Sequence, residues 1–451
     1  MISSSSFLDS LCSWRKAFLL SAALTGAGGG QPATASTPVF QSVHEFNGQD
    51  AVVTGPGGHG PSSDGNTPYG RLLRTTDGTL YATTCRGGVW HSGGVFSFSP
   101  PTPSHPTWTE KTVYSLGGGA LDDGFCAVGG LIFDGARRLY GTALEGGPYV
   151  HPESADPGGI VFALTPPASG KGEWKEHVLY AFREKRLGWQ PNSTLLRDRY
   201  GALYGLVATG GAHGSGGIYK LTPPTVSATA WTETLIYSFA PTDSSDQIVD
   251  APLIMDSSGA LYSRDPEYGS KHNGAIIKLT PPTAMGHAWT MDVLYKFAGD
   301  ADGAKPLGGV IFGAKGTLLG TTSAGGNNNA GTIFSLTPPV AGNTGWTHNI
   351  LYAYPDNNGL SGPVASPVRG KGGTLYIANE SGDNGIGSLS QLTPPVAGTT
   401  RWTARVLHHF TQQRDGGNPV SGPVVDENGV LYGTASFGGK YETGTLYQLT
   451  P

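Results

Sequence analysis

The stretch Gly316–Pro339 reads GTLLGTTSAGGNNNAGTIFSLTPP and decides the fold. Two short apolar runs flank a turn rich in glycine and asparagine, as two consecutive β-strands would. A proline pair then ends the second run, because proline cannot donate a hydrogen bond to a continuing sheet. Close variants of this stretch occur along the chain, so it is one unit of a tandem repeat.

Proline and tryptophan mark the repeat boundaries. The motif SPP, TPP or a final TP ends a unit at Pro101, Pro167, Pro224, Pro282, Pro339, Pro395 and Pro451. The first interval is 66 residues and the others are 56 to 58. A tryptophan opens the segment after each proline pair: Trp108, Trp174, Trp231, Trp289, Trp346 and Trp402. Such a period predicts a repeat architecture that makes the whole array one domain.

Each unit contains four short apolar runs, which in the fifth read LGGVIFGA, TLLGTTS, GTIFSLT and WTHNILYAY. Four short strands in a unit of this length fit a propeller blade better than a solenoid rung. Apolar residues on both faces of a strand, as in VLYKF (Val293 to Phe297), suit a blade packed between two neighbours. The sequence therefore predicts an all-β, seven-bladed β-propeller with four antiparallel strands per blade.

The first three strands occur seven times, but the fourth follows a proline pair only six times. The segment VFQSVHEF (Val39 to Phe46) has the pattern of the missing strand and precedes any blade. We expect it to complete the seventh blade beside GTLYQLT (Gly444 to Thr450). This pairing closes the ring and covers a strand edge that would otherwise invite aggregation.

The N-terminus predicts export. Arg15 and Lys16 precede the apolar run AFLLSAALTGA, and small residues follow. We assign residues 1–35 to a signal peptide and 36–451 to the propeller, which places a bacterial protein outside the cell or in the periplasm. No run of about 20 apolar residues predicts a transmembrane segment. The net charge of -5, with 14% charged residues, disfavours nucleic acid as a partner. We expect a monomer.

The cysteines leave two alternatives open. Cys12 lies in the predicted signal peptide, which leaves Cys85 and Cys126. In an exported chain these two residues could form one disulfide. They could equally be two small buried apolar side chains.

The pattern GxLYGTTxxGGxxxxGTxFxLTPP resembles the Gloeo/Verruco (GloVer-type) tandem repeat of secreted bacterial proteins. The resemblance covers nearly all of the chain after about residue 39. It implies a secreted, propeller-like protein but no activity and no catalytic residues. The copies that depart most begin at Leu203 (LYGLVATGG), Leu261 (LYSRDPEYG) and Leu375 (LYIANESGD).

The loops of a meandering blade separate onto two faces. The connections from TPP to tryptophan lie on one face and are short and weakly charged. The loops between the second and third strands share the other face with the links between blades, and they vary from unit to unit. We call this second face the variable face and expect any binding site there, because loops of several blades converge on it.

Unit-specific polar and aromatic residues fall on the variable face of the first four blades. The candidate ligand-binding residues are Arg86, Trp90, Glu145, Arg183, Arg186, Trp189, Glu267 and Lys271. The candidate catalytic residues are Arg264, Asp265, Tyr268, His272, His91, His151 and Tyr149. Exposed tryptophans beside polar groups suit stacking on sugar rings or on a partner protein.

The fourth unit supports three interpretations. Arg264 and Asp265 replace Thr321 and Thr322 of the fifth copy. With Tyr268 and a histidine, Arg264 could bind an acidic sugar or promote β-elimination from a uronate. Asp265 and Glu267 could instead form the carboxylate pair of a glycoside hydrolase. The arginine and aspartate could also form a salt bridge that only stiffens a loop.

We predict no cofactor and assign no metal ligands. Two fragments, GDADG (Gly299 to Gly303) and LDDG (Leu121 to Gly124), resemble parts of calcium loops, so Ca²⁺ stays an alternative to a simple turn. Three functions remain open at this stage. They are binding of an extracellular glycan or other surface ligand, cleavage of an acidic polysaccharide by a lyase or hydrolase, and a structural or protein-interaction scaffold.

Overall fold

The structure is a computed structural model that describes residues 37–48, 64–117, 123–135, 137–149, 158–169, 172–184, 186–241, 251–283, 288–340, 345–355, 362–379 and 385–451. The predicted signal peptide lies outside these residues, as does His151. Seven sheets of antiparallel strands succeed one another along the chain and form a seven-bladed propeller. The predicted fold class is confirmed.

Six blades take their strands from one continuous segment each. Their first to fourth strands are Leu73–Arg74, Leu80–Thr84, Gly94–Ser99 and Thr109–Ser115; Ile132–Phe133, Leu139–Ala143, Ile160–Thr165 and Lys175–Ala181; Leu196–Arg197, Leu203–Thr209, Gly217–Thr222 and Thr232–Ser238; Ile254–Met255, Leu261–Asp265, Ala275–Thr280 and Thr290–Lys296; Ile311–Phe312, Leu318–Thr322, Thr332–Thr337 and Thr347–Ala353; and Val368–Arg369, Leu375–Asn379, Ser388–Thr393 and Thr403–His409.

The seventh blade joins the two ends of the chain. Its strands are Val424–Val425, Leu431–Ala435, Thr445–Thr450 and, as the fourth, Val39–Glu45. In this pairing Phe40 lies opposite Leu449. Phe46 follows the N-terminal strand, is fully buried and packs edge-on against Phe98 of the first blade. The predicted ring closure is therefore confirmed.

Smaller elements complete the fold. The third blade gains an extra strand, Trp189–Pro191, and two-stranded ribbons pair Gly65–Asn66 with Arg86–Gly87 and Gly124–Phe125 with Glu145–Gly146. The described 3₁₀ turns are Asp300–Asp302, Ala314–Gly316, Asn327–Asn329 and Lys371–Gly373. Across the described ranges, no helix has the length and apolar character needed to cross a membrane.

The core lies between the blades. In the third strand of the fourth blade, Ile276 and Ile277 are both fully buried, although neighbouring residues of a strand point to opposite faces. Ile277 packs with Leu206 of the third blade, and Ile276 packs with Phe334 of the fifth. Each such side chain contributes about 1.5–3 kcal/mol by leaving water. The apolar residues on both faces thus hold each blade between two neighbours.

The fourth strand of each blade contains a β-bulge at the same position. The pairing register shifts there, and one residue is left without a partner opposite it. The residue after the bulge is a tyrosine or histidine in each blade: His44, Tyr114, Tyr180, Tyr237, Tyr295, Tyr352 and His408. We call these seven the junction residues, because they contact the following blade or the segment that leads into it.

Most junction residues contact a carboxylate. The contacts that join a ring hydroxyl or ring nitrogen to a carboxylate oxygen are Tyr114–Asp123 (3.3 Å), Tyr180–Glu233 (2.8 Å), Tyr237–Asp265 (2.9 Å), Tyr295–Asp302 (2.6 Å), His408–Asp415 (3.0 Å) and His44–Asp64 (3.1 Å). Hydrogen bonds to charged acceptors are among the stronger ones in proteins. In six of the seven blades, the bulge therefore directs a polar side chain into a charge-assisted contact at the blade junction.

Glu233→Gln is expected to make the protein more stable at alkaline pH. Burial raises the pKa of Glu233 to about 8, while the hydrogen bond from Tyr180 acts in the opposite direction. An unfolded glutamate ionises near pH 4.3, so the wild type loses stability as pH rises from there to about 8. We expect the variant to exceed the wild type by about 1–3 kcal/mol at pH 9 and to match it near pH 4. Urea denaturation at both pH values measures this difference, and the exposed Glu173→Gln is the control. Equal pH dependence of wild type and variant would refute this account of Glu233.

Candidate functional site

The variable face of blades one to three is a connected arc. The backbone N–H of Cys126, in the second blade, donates to the Ser92 carbonyl of the first-blade loop at 2.9 Å. Gly158 then donates to the Tyr149 carbonyl within the second-blade loop, and Gln190 of the third blade donates to Gly158. Each loop is thus hydrogen-bonded to the next, so side chains on these three blades belong to one surface.

A disulfide holds the first loop of this arc. Cys85 directly follows the second strand of the first blade and is bonded to Cys126. Of the two alternatives for the cysteines, the structure shows the disulfide. The loop that follows Cys85 carries Trp90, whose side chain is 48% exposed beside the exposed Val89. A large aromatic surface is therefore presented to solvent from a covalently anchored loop.

Two further candidates flank Trp90. Arg86 lies in the ribbon Arg86–Gly87 and is half-buried, whereas His91 is exposed. The backbone of His91 has a φ of 58°, a left-handed conformation that fixes the turn after Trp90. Phe125, in the ribbon of the second blade, is also exposed and lies beside Ser92 of the Trp90 loop. The loop of Trp90 thus also carries Arg86, and Phe125 of the second blade borders this loop at Ser92.

The second and third blades contribute a cation–aromatic pair. Tyr149 is 43% exposed, and the guanidinium carbon of Arg183 lies 5.9 Å from the centre of its ring. Glu184 bridges the arginines, with an oxygen 2.9 Å from Nε of Arg186 and another 4.0 Å from Nε of Arg183. Glu145 is half-buried in its ribbon. The structure therefore brings Tyr149, Arg183 and Arg186 together.

Trp189 does not join this exposed group. It is only 7% exposed, and the expectation of an exposed aromatic at this position is wrong. The cause is the extra strand Trp189–Pro191, which pairs with the third blade's second strand at Thr209 and Val207. The tryptophan consequently packs in the core between blades two and three, with Val161 and Tyr219.

Arg264 and Asp265 are buried in the fourth blade. Arg264 is 4% exposed and Asp265 is fully buried, so neither side chain lines an open surface as expected. The Asp265 carboxylate accepts hydrogen bonds from the Tyr237 hydroxyl at 2.9 Å and from the backbone N–H of Ala240 at 3.2 Å. Burial lowers the pKa of Arg264 to about 10, and the charge of Asp265 acts against this shift. The pair is thus built into the junction of blades three to five.

Arg264 occupies a strand position where three other blades carry a threonine that reaches the following blade. Thr83, Thr142 and Thr321 occupy the same strand position and donate to backbone carbonyls of the following blade. Arg264 donates from Nε to the Leu307 carbonyl, which also belongs to the following blade, at 3.1 Å. The longer arginine side chain therefore makes the same kind of hydrogen bond to the following blade as the threonine does. This contact explains why Arg264 is present in the unusual segment LYSRDPEYG.

The rest of that segment forms a separate polar group. Glu267 has one carboxylate oxygen 3.5 Å from Nδ1 of His272 and the other 4.0 Å from Nζ of Lys305. The Tyr268 ring packs against the core and lies under Nζ of Lys296 at 5.2 Å. Lys271 is exposed. Glu267 and His272 are therefore together, but on a different loop from Tyr149 and Arg183.

The two candidate calcium fragments contribute to blade junctions. Asp302 accepts hydrogen bonds from the Tyr295 hydroxyl at 2.6 Å and from the Ala298 N–H at 2.7 Å. Asp123 accepts from Tyr114 and from the Gly124 N–H. Both aspartates therefore stabilise a turn and a blade junction by accepting hydrogen bonds. Residues 121 and 122 of the second fragment lie outside the described ranges.

Fold and surface together define a repeat-built β-propeller with a variable loop face. Residues 150–376, just over half of the chain, match the family model described as the Gloeobacter/Verrucomicrobia repeat. The chain belongs to this repeat family. A search of curated proteins found no match.

Solved structures offer distant likenesses. A structure of PorZ, an essential bacterial surface component of the type-IX secretion system of Porphyromonas gingivalis, is 14% identical with a TM-score of 0.47, and the match covers 89% of this chain and 48% of PorZ. The chain thus spans about half the length of PorZ. A putative glucose dehydrogenase from Thermus thermophilus is 15% identical with a TM-score of 0.41, covering 92% of this chain and 100% of that one. These values carry no argument about activity.

Proposed function

We propose that the protein is a secreted module that binds an extracellular glycan on the variable face of blades one to three. The observation that carries this proposal is the exposed Trp90 on a disulfide-anchored loop, hydrogen-bonded through the next blade toward Tyr149 and Arg183. Sugar rings present apolar C–H faces that stack on flat aromatic side chains. Trp90 and Tyr149 supply two such surfaces.

The charged groups beside Tyr149 add specificity for polar substituents. Arg183 and Arg186 share Glu184, which leaves N–H donors of both guanidinium groups free to reach hydroxyl or carboxylate oxygens of a sugar. A rigid aromatic anchor with a small number of polar groups is the usual composition of a ligand site. A glycan containing uronate residues would use both the aromatic and the cationic surfaces.

The proposed setting of the module is outside the cytoplasm. We infer that residues 1–35 direct export and that the mature propeller begins at about residue 36 and acts as a monomer. The Cys85–Cys126 disulfide supports this setting, because disulfides persist in oxidising compartments. N-terminal sequencing of protein collected from the periplasm or medium tests it, and a retained leader would contradict it.

Trp90→Ala and Tyr149→Ala are each expected to weaken glycan binding by about tenfold, since one aromatic stack contributes about 1–1.5 kcal/mol. A glycan array that includes polygalacturonate and alginate oligosaccharides identifies the bound glycan for the wild type, and titration with it measures the change. Tyr200→Ala is the matched control. Tyr200 is 74% exposed, lies under Arg199 at 4.8 Å and sits in a turn on the opposite face. Equal affinity for all three variants and the wild type would contradict the proposed site.

A further inference from the structure

The junction between the last and first blades carries three side chains with metal-ligating atoms. His44 follows the bulge in the N-terminal strand, Asp64 lies in the segment that leads into the first blade, and Glu110 lies in the first blade's fourth strand. Nε2 of His44 is 3.1 Å from Oδ2 of Asp64 and 3.7 Å from Oε2 of Glu110. One donor atom from each residue lies within 4.8 Å of the other two.

The neighbouring junction provides an internal comparison. Between the first and second blades, the Tyr114 hydroxyl lies 3.3 Å from Asp123 and 3.1 Å from Glu176. The same arrangement of two carboxylates therefore recurs, but with a tyrosine in the place of His44. A neutral tyrosine is a hydrogen-bond donor to these carboxylates, whereas a histidine ring nitrogen can supply a lone pair to a metal ion.

The other histidine at a junction lacks this environment. His408 lies 3.0 Å from Asp415, but the position that corresponds to Glu110 is occupied by Phe40, whose ring stacks on His408 at 3.9 Å. Of the junction residues that the structure describes, His44 is thus the one histidine placed between two carboxylates. The sequence combines histidine, aspartate and glutamate at the seam where the ring closes.

The proposed ligands are held in position by their surroundings. Oδ1 of Asp64 accepts a hydrogen bond from the Gly65 N–H, and Oδ2 accepts one from the Asn47 N–H, both at 2.7 Å. The His44 ring packs edge-on against Phe46 at 4.9 Å. Such outer contacts orient ligands in metal sites. Asp64 is buried, while His44 and Glu110 are half-buried, so solvent can reach the cluster and complete a coordination sphere.

We propose that His44, Asp64 and Glu110 bind a divalent transition-metal ion, of the Zn²⁺ or Mn²⁺ type, that clamps the ring closed. One imidazole and two carboxylates suit these ions, whereas Ca²⁺ prefers a shell made of oxygen alone. Three protein ligands leave at least one position for water. The ion would link the N-terminal strand to two segments of the first blade, so its binding would stabilise the closed ring.

Calorimetric titration of the metal-free, full-length mature protein with ZnCl₂ and with MnCl₂ tests the assignment. We expect one equivalent bound with a Kd below about 10 μM and a melting temperature raised by several degrees at saturation. His44→Tyr installs the residue of the neighbouring junction and should weaken binding by about 100-fold or more. Glu110→Gln, which keeps the shape of the side chain, should weaken it by about tenfold or more.

The reverse substitution at the neighbouring junction should create a second metal site. Tyr114→His places a histidine between Asp123 and Glu176 and should raise the stoichiometry from one ion to two. No binding of either ion to the wild type would overturn the proposal, as would one equivalent retained by His44→Tyr, because the ion would then be held elsewhere. A folded Tyr114→His variant that still binds one ion would contradict the role of this junction geometry. Failure of the metal site and failure of the glycan site are distinguishable, because the first is measured by metal titration and the second by glycan titration of the Trp90 and Tyr149 variants.

Discussion

Asp265→Ala is expected to lower the free energy of unfolding by about 3–5 kcal/mol, the range for removing one partner from a buried charged network. The side chain is fully buried and accepts hydrogen bonds from Tyr237 and Ala240. Its removal leaves the Tyr237 hydroxyl without this acceptor and leaves the buried Arg264 without the neighbouring carboxylate that favours its charge. Urea denaturation measures the loss.

A double variant distinguishes a structural role of Arg264 and Asp265 from a role in ligand binding. Arg264→Thr with Asp265→Thr installs the pair found in the fifth copy, where Thr321 donates to a carbonyl of the following blade. We expect the double variant to be more stable than Asp265→Ala by about 1.5 kcal/mol or more, because no buried charge is left unpaired. A double variant less stable than the single one would show that Arg264 contributes independently of Asp265. Glycan affinity should stay unchanged in both.

Loss of the disulfide is expected to lower the free energy of unfolding by about 4 kcal/mol. Cys85 and Cys126 are 41 residues apart in sequence, and closing a loop of that length restricts the unfolded chain by roughly this amount. The Cys85→Ser, Cys126→Ser variant should also bind glycan more weakly, because the Trp90 loop loses its covalent anchor. Thermal melting and glycan titration measure the two effects.

Reduction of the wild type is the control for this variant. Dithiothreitol should shift the wild-type melting temperature toward that of the double serine variant and leave the variant itself unchanged. An unchanged wild-type melting temperature, with reduction verified by thiol labelling, would refute the stabilising role of the bond.

The architecture was predictable because it follows from the repeat, whereas local features without a sequence pattern were not predictable. Proline-marked ends and the missing fourth strand were sufficient to predict the blade number and the closure by Val39–Glu45, both of which are confirmed. The bulge before each junction residue has no sequence signature of its own, because the bulged residue is an ordinary valine, leucine or isoleucine. The polar contacts at the blade junctions were therefore not foreseen.

The candidate site was only partly predictable for a similar reason. Trp90 and Tyr149 lie in loops and are exposed as expected, whereas Trp189 entered an extra strand. That strand pairs with a second strand of seven residues, Leu203–Thr209, where other blades have five, so the departure LYGLVATGG marked the change. Arg264 is buried because its long side chain reaches the carbonyl that a threonine reaches in other copies. His44 was not singled out, because its two carboxylates are distant in sequence.

Protection of Trp90 by bound glycan is the most direct test of the proposed function. The protein is oxidised with N-bromosuccinimide in the presence of a saturating concentration of the glycan that the array identifies, and peptide mass spectrometry follows the reaction. We expect the bound glycan to slow the oxidation of Trp90 by about fivefold or more. Oxidation of Tyr200 on the opposite face should proceed at the same rate with and without glycan. Oxidation of Trp90 at an unchanged rate under saturating glycan would contradict the assignment of the variable face of blades one to three as the binding surface.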